Sequence, residues 1–185
     1  VFTSTISFFQ GKKTSRNVYF GLGIALFGII IIQYGDLSLS PKNLLGNALS
    51  LLSSLFIAIT FTTAAEIRKD TGNVSYGRTL FLIAAITIGL IAIISGVSLI
   101  NFQKDHIPWL LFLGLVPSIL GHNMLNYALK YFSPTAVASV PLGEPIIASI
   151  FGFLIFSESI PSGAMISAPI ILGGIFIVLK YQDTN

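Results

Sequence analysis

TLFLIAAITIGLIAIISGVSLI, residues 79–100, contains no charged side chain from end to end. As a helix rising about 1.5 Å per residue it spans roughly 33 Å, slightly more than the hydrocarbon core of a bilayer, about 30 Å. Its apolar residues follow one another instead of alternating with polar ones, which excludes a strand of a membrane β-barrel. Inside lipid such a segment satisfies its backbone only as a helix. Five further runs of the same kind accompany it, at residues 18–34, 44–65, 109–129, 135–157 and 163–180. None carries a basic residue in its interior. Residues 1–9 read as the end of another span.

The whole chain agrees with these runs. Hydrophobic residues make up 54% of the sequence, charged residues 9%, and mean hydropathy is +0.87. A soluble domain carries about 25% charged residues because its surface faces water. A polytopic α-helical membrane protein is therefore expected. The net charge of +3 does not indicate nucleic acid, since the Lys and Arg lie scattered in short loops rather than clustered on one face. The absence of cysteine excludes disulfides and thiolate metal sites, and His106 and His122 lack metal-ligand spacing. Residues 1–9 are followed by Lys12 and Lys13, the reverse of signal-peptide order. Without an initiating Met, the chain reads as a fragment that begins inside a helix.

The loops set an orientation. Lys12, Lys13, Arg16, Arg68, Lys69, Arg78, Lys130 and Lys180 fall on one side of the six spans, and only Lys42 and Lys104 on the other. The bias of Lys and Arg places the first group, with the C-terminus, in the cytoplasm. Tyr19, Tyr34, Trp109, Tyr131 and Tyr181 lie at the expected interfaces. The location expected is the cytoplasmic membrane of a bacterium.

An internal repeat is visible at an offset of 146 residues. Residues 8–32 align with 154–178, so that Ser15 meets Pro161, Gly21 meets Ser167 and Gly28 meets Gly174. Each stretch is a span end, a short polar loop and a Gly-bearing helix. Gly28 lies on a span leaving the cytoplasm and Gly174 on one returning to it, so the two copies are inverted. Inverted repeats characterise secondary transporters, whose solute sites lie at the repeat interface.

PLGEPIIASIFGFLIFSESIPSGAMISAPIILGG (residues 141–174) and the preceding LGLVPSILGHNMLNYALKYFSP (residues 113–134) resemble the EamA-type permeases of the drug/metabolite transporter superfamily. The shared pattern is Glu144-Pro145, a small and apolar run, Glu158 at a helix end and then Gly174. The resemblance implies an all-α bundle of ten helices in two five-helix repeats, with both termini cytoplasmic. On that template residues 44–182 are one complete repeat, the second, and residues 1–36 are the end of its inverted partner. Two departures stand out. Lys12 occupies the place where the pattern expects the acid that Glu158 supplies, and the first three helices with most of the fourth are absent.

Six residues are candidates for binding a solute. Glu144 sits near mid-membrane, where a charged side chain costs roughly 2.5–3.5 kcal/mol on insertion scales. It reads either as a group handling solute or protons, or as a clamp donating to a carbonyl freed by Pro141 and Pro145. Ser118, His122 and Asn126 follow at i, i+4, i+8 and so share a helix face beside Pro117 and Gly121. A His122–Glu144 pair is open to them because consecutive antiparallel helices usually touch. Ser50 and Ser53 belong to a stripe of small and hydroxyl residues that reads as close packing or as pore lining. No P-loop, HExxH or GxSxG motif occurs, so no catalytic residue, metal or cofactor is expected.

The function expected is alternating-access transport of a small metabolite: amino-acid-like, nucleotide-derived or drug-like. The partners expected are the solute, protons, lipid, and either the missing N-terminal repeat or a second copy of the chain. A membrane scaffold and a membrane-embedded enzyme using Glu144 and His122 are the competing classes.

Overall fold

The computed structural model describes residues 1–33, 41–98 and 103–182. The expected span ends at Tyr34 and Ile100 lie outside them. The described residues are mainly helical and contain no strand. They divide into two compact units. The first comprises Val1–Thr63 with Tyr131–Asn185, and the second Ala64–Lys130.

The first unit holds α1 (Phe2–Phe9), α2 (Arg16–Gln33), most of α3 (Pro41–Asp70), α7 (Pro134–Ser139), α8 (Glu144–Phe156) and α9 (Ser162–Tyr181). Its centre is the pairing of α2 with α9. The two run antiparallel, Gly21 lying on Gly174 and Gly28 on Ser167 and Ile171. A Cβ on Gly174 would stand 2.5 Å from the Ala25 nitrogen and 2.6 Å from the Gly21 oxygen. Only glycine permits so close an approach, as at other small-residue helix crossings in membranes. Val18, Leu22, Ala136 and Val178 close into a buried cluster beside it.

α7 and α8 are two halves of one span joined by the 3₁₀ turn Val140–Gly143. Pro141 and Pro145 explain the break, since neither can donate to a preceding carbonyl. α8 ends at Ser157, whose φ of 56° is left-handed, with the Glu158 amide donating back to the Gly152 carbonyl at 3.2 Å. The bond reaches one residue further back than the six-to-one closure of a Schellman motif, but like it satisfies a carbonyl near the helix C-terminus.

The second unit holds the last turns of α3, then α4 (Asn73–Ile94), a 3₁₀ turn at Lys104–His106, α5 (Ile107–Leu113), a π-helical segment Gly114–His122 and α6 (Asn123–Ala128). Apart from Gly77, α4 buries none of its residues. Side chains such as Leu82, Ile88 and Ile94 stand exposed. In water that much contiguous apolar surface would aggregate; in a bilayer it faces acyl chains.

Among the described residues five helices are long and apolar enough to cross a membrane: Leu44–Asp70, Asn73–Ile94, Lys104–Ala128, Pro134–Phe156 and Ser162–Tyr181. The sixth expected span is present as the shorter apolar helix Arg16–Ile32. The fold is thus an all-α, multi-pass membrane bundle. Boundaries differ from the sequence expectation for a physical reason: a helix does not stop where the lipid does. α4 begins six residues before 79 and includes Arg78, and α3 runs past 65 to Asp70, taking Arg68 with it. At the other end α4 stops early, because Gly96 takes a φ of 69° just after the Ser95 cap.

Candidate functional site

The fourth expected span is not one regular helix, and this changes the environment of three candidate residues. Pro117 lies inside the π-helical segment. In α-helical register the carbonyl of Leu113, four residues earlier, would have no donor and would meet the proline ring. A π register passes that carbonyl to residue i+5, Ser118, whose hydroxyl also donates to it at 3.1 Å. Ser118 therefore serves the backbone. His122 ends the π segment, exposed and without a hydrogen-bond partner among the described residues. Asn126 lies beyond, in α6, and is 3% exposed. Four residues fall short of a full π turn and exceed an α turn, so the i, i+4, i+8 stripe does not share one environment: half-buried, exposed and buried in turn.

Asn126 belongs to a polar cluster at the junction of α3, α4 and α6. Its carbonyl accepts from Arg68 Nε at 3.1 Å, and a terminal nitrogen of the same guanidinium donates to the Thr71 carbonyl. Asn73 Nδ2 donates to the Asn123 carbonyl at 3.1 Å, while the Asn123 side-chain oxygen lies against Gly77. Asn126 Nδ2, Asn73 Oδ1 and Asn123 Oδ1 are buried without a partner.

Arg68 is 2% exposed and pairs with no carboxylate among the described residues. Its compensation comes from helix ends. Thr71 follows the last turn of α3, and Asn126 is in the last turn of α6, whose carbonyl is released because Lys130 N donates to Tyr127 instead. The negative pole of each helix macrodipole meets the guanidinium there. Sequence reasoning placed Arg68 among loop charges. A signal was present: Ala58, Phe61, Ala65 and Arg68 recur at steps of three and four, and all four are buried.

In the first unit, Glu144 is the first residue of α8, near the middle of the span Pro134–Phe156. It is exposed and its carboxyl makes no hydrogen bond among the described residues, so the expected clamp onto the Val137 or Pro141 carbonyl is not formed. Its own amide is already paired, donating to the Pro141 carbonyl across the 3₁₀ turn, so only the carboxyl is uncommitted. Ser50 and Ser53 are exposed on α3. It is Ser54 that joins Val1, Phe2, Thr3, Ile57, Ala58 and Ala138 around a cavity of about 180 Å³. The Ser54 hydroxyl is already committed to the Leu51 carbonyl at 2.7 Å. Among the described residues no three His, Cys, Asp or Glu side chains gather to hold a metal. Glu144 belongs to the first unit and His122 to the second.

Comparison with known proteins gives the family. A protein of Archaeoglobus fulgidus called an uncharacterized transporter is 23% identical over 189 residues, covering 97% of this chain and 63% of the relative. This chain thus spans less than two thirds of that protein's length. No solved structure matches at a significant level. The family model for EamA-like transporters matches residues 44–180, and the chain therefore belongs to the EamA-like transporter family.

Proposed function

We propose that the chain forms part of a secondary transporter that moves a small metabolite across the membrane by alternating access. The observation that carries this reading is the crossing of α2 and α9. Under the 146-residue offset Gly21 corresponds to Ser167, Ala25 to Ile171 and Gly28 to Gly174. The contact of Gly21 with Gly174 maps onto that of Ser167 with Gly28, and the contact of Ala25 with Gly174 onto that of Ile171 with Gly28. A pair that exchanges its own contacts under one offset is what a pseudo-two-fold axis between inverted repeats requires. Residues 1–36 are then the end of one repeat and residues 44–182 the other. The remainder of the cavity comes from helices outside these 185 residues or from a second copy of the chain, and the C-terminus faces the cytoplasm.

Within this reading Glu144 is the residue that sets charge or carries a proton. A broken span presenting a half-helix N-terminus at mid-membrane is a recurrent way of building a transport site, and an intramembrane acid is retained there at a cost. Asn126 and His122 supply hydrogen bonds to solute, Asn126 through its unpartnered amide. Ser118, Ser50 and Ser53 contribute at most secondary contacts.

The test is solute flux in proteoliposomes, with Glu144→Gln compared across pH. Loss of pH dependence with insertion intact supports proton handling. An unchanged pH profile with near-normal flux rules out coupling through Glu144. Flux of no small metabolite in the protein as it occurs in the cell would sink the transport reading altogether.

A further inference from the structure

The π-helical segment has one fixed end and one free end. On its C-terminal side α6 is tied down: Arg68 holds the Asn126 carbonyl and Asn73 the Asn123 carbonyl, both at 3.1 Å. Asn123 also lies on Gly77, and α6 packs on α4. On its N-terminal side every residue of α5 is exposed. Among the described residues of its own unit, α5 makes its substantial contacts with its chain neighbours, the 3₁₀ turn and the π segment. Between them lie nine residues in a register that holds one more residue per hydrogen-bonded ring than an α-helix.

We propose that Gly114–His122 is a built-in hinge, in which exchange between π and α register swings α5 against an anchored α6. Passing one backbone hydrogen bond from i+5 to i+4 advances everything N-terminal by one helical residue. That is a rotation of about 100° and a rise of about 1.5 Å. Two side chains set the balance. Pro117 opposes the α register, because there it would strand the Leu113 carbonyl and press its ring against it. Ser118 favours the π register by adding its hydroxyl to that carbonyl. Gly114 and Gly121 leave room for the change: a Cβ at Gly114 would meet nothing within 4 Å, and one at Gly121 only the Val116 carbonyl. Ser118 lies inside the hinge, so its facing depends on register, while that of His122, at the hinge's fixed end, and of Asn126 does not. One candidate solute contact is thereby tied to a conformational switch and the other two are not. This use of the hinge rests on the transport reading; its existence does not.

The test needs no solute, so its failure is distinguishable from failure of the transport reading. Cysteine is absent from the chain, and Trp109 and Met124 are both exposed, 15 residues apart, or about 22 Å in a continuous α-helix. Spin labels at Trp109→Cys and Met124→Cys, read by pulsed dipolar spectroscopy in nanodiscs, report the register directly. The expected result is two distance populations that collapse to one, the α-helical one, in Pro117→Ala. Ser118→Ala should shift the populations the same way by a smaller amount, and it decides the matter should Pro117→Ala fail to fold. A single distance that is identical with and without either substitution overturns the hinge.

Discussion

Gly173 and Gly174 are neighbours on α9, yet their surroundings demand opposite responses to the same added methyl group. Gly173 has nothing within 4 Å of a Cβ position, whereas at Gly174 that position lies 2.5 Å from the Ala25 nitrogen and 2.8 Å from its Cβ. Gly→Ala inside a helix ordinarily gains up to about 1 kcal/mol in propensity, and that gain is all Gly173→Ala should show. At Gly174 the obstacle is backbone, which cannot rotate away, so α2 and α9 must part by roughly 1 Å. A gap of that size forfeits a quarter to a half of each dispersion contact across the crossing, and overpacking of this kind costs about 1–3 kcal/mol. The crossing is the centre of the first unit, so the upper part of that range applies. Subtracting the propensity gain leaves a net loss of roughly 2 kcal/mol. The two alanine variants should then differ by about 3 kcal/mol, which reversible unfolding in mixed micelles or steric trapping resolves easily. Equal stabilities for Gly173→Ala and Gly174→Ala would refute the close crossing, and with it the pseudo-symmetric contact exchange that supports the repeat.

Two other substitutions test separate parts of the structure. Arg68→Met removes the donor to the Asn126 and Thr71 carbonyls, leaving the first buried and the second part-buried, which should cost roughly 1–3 kcal/mol in the same unfolding assay; Arg68→Lys should not restore it, because a single ammonium lacks the fork that reaches two acceptors. A wild-type-like Arg68→Met would show that the guanidinium holds nothing. For topology, Gly72→Cys and Gln103→Cys flank α4 at opposite ends and should react with an impermeant thiol reagent from opposite faces of the membrane. Labelling of both from one face would contradict α4 as a span.

How far the amino-acid sequence reached follows from the range of the forces involved. Membrane insertion is decided window by window, over about 20 residues at a time, so residues 79–100 announce a span without reference to any other part of the chain. The same local logic singled out the carbonyls freed by Pro141 and Pro145 and mid-membrane Glu144, and the 146-residue offset could be read by aligning the chain with itself. What the offset could not show is that its two copies touch through exchanged partners, Gly21 with Gly174 and Gly28 with Ser167. Nor could counting basic residues reveal that Arg68 is buried. A count treats every Arg near a span end alike, whereas burial depends on the freed carbonyls of Thr71 and Asn126, the latter 58 residues away. Ser118 shows the limit most directly. An α-helical wheel put it on a solute-facing stripe, but Pro117 changes the register beneath the wheel and turns its hydroxyl to Leu113. Local composition thus determined which segments enter the membrane and that they are helical. Packing between helices decided which polar groups are spent on the backbone and which, such as Glu144 and the Asn126 amide, remain to meet something else.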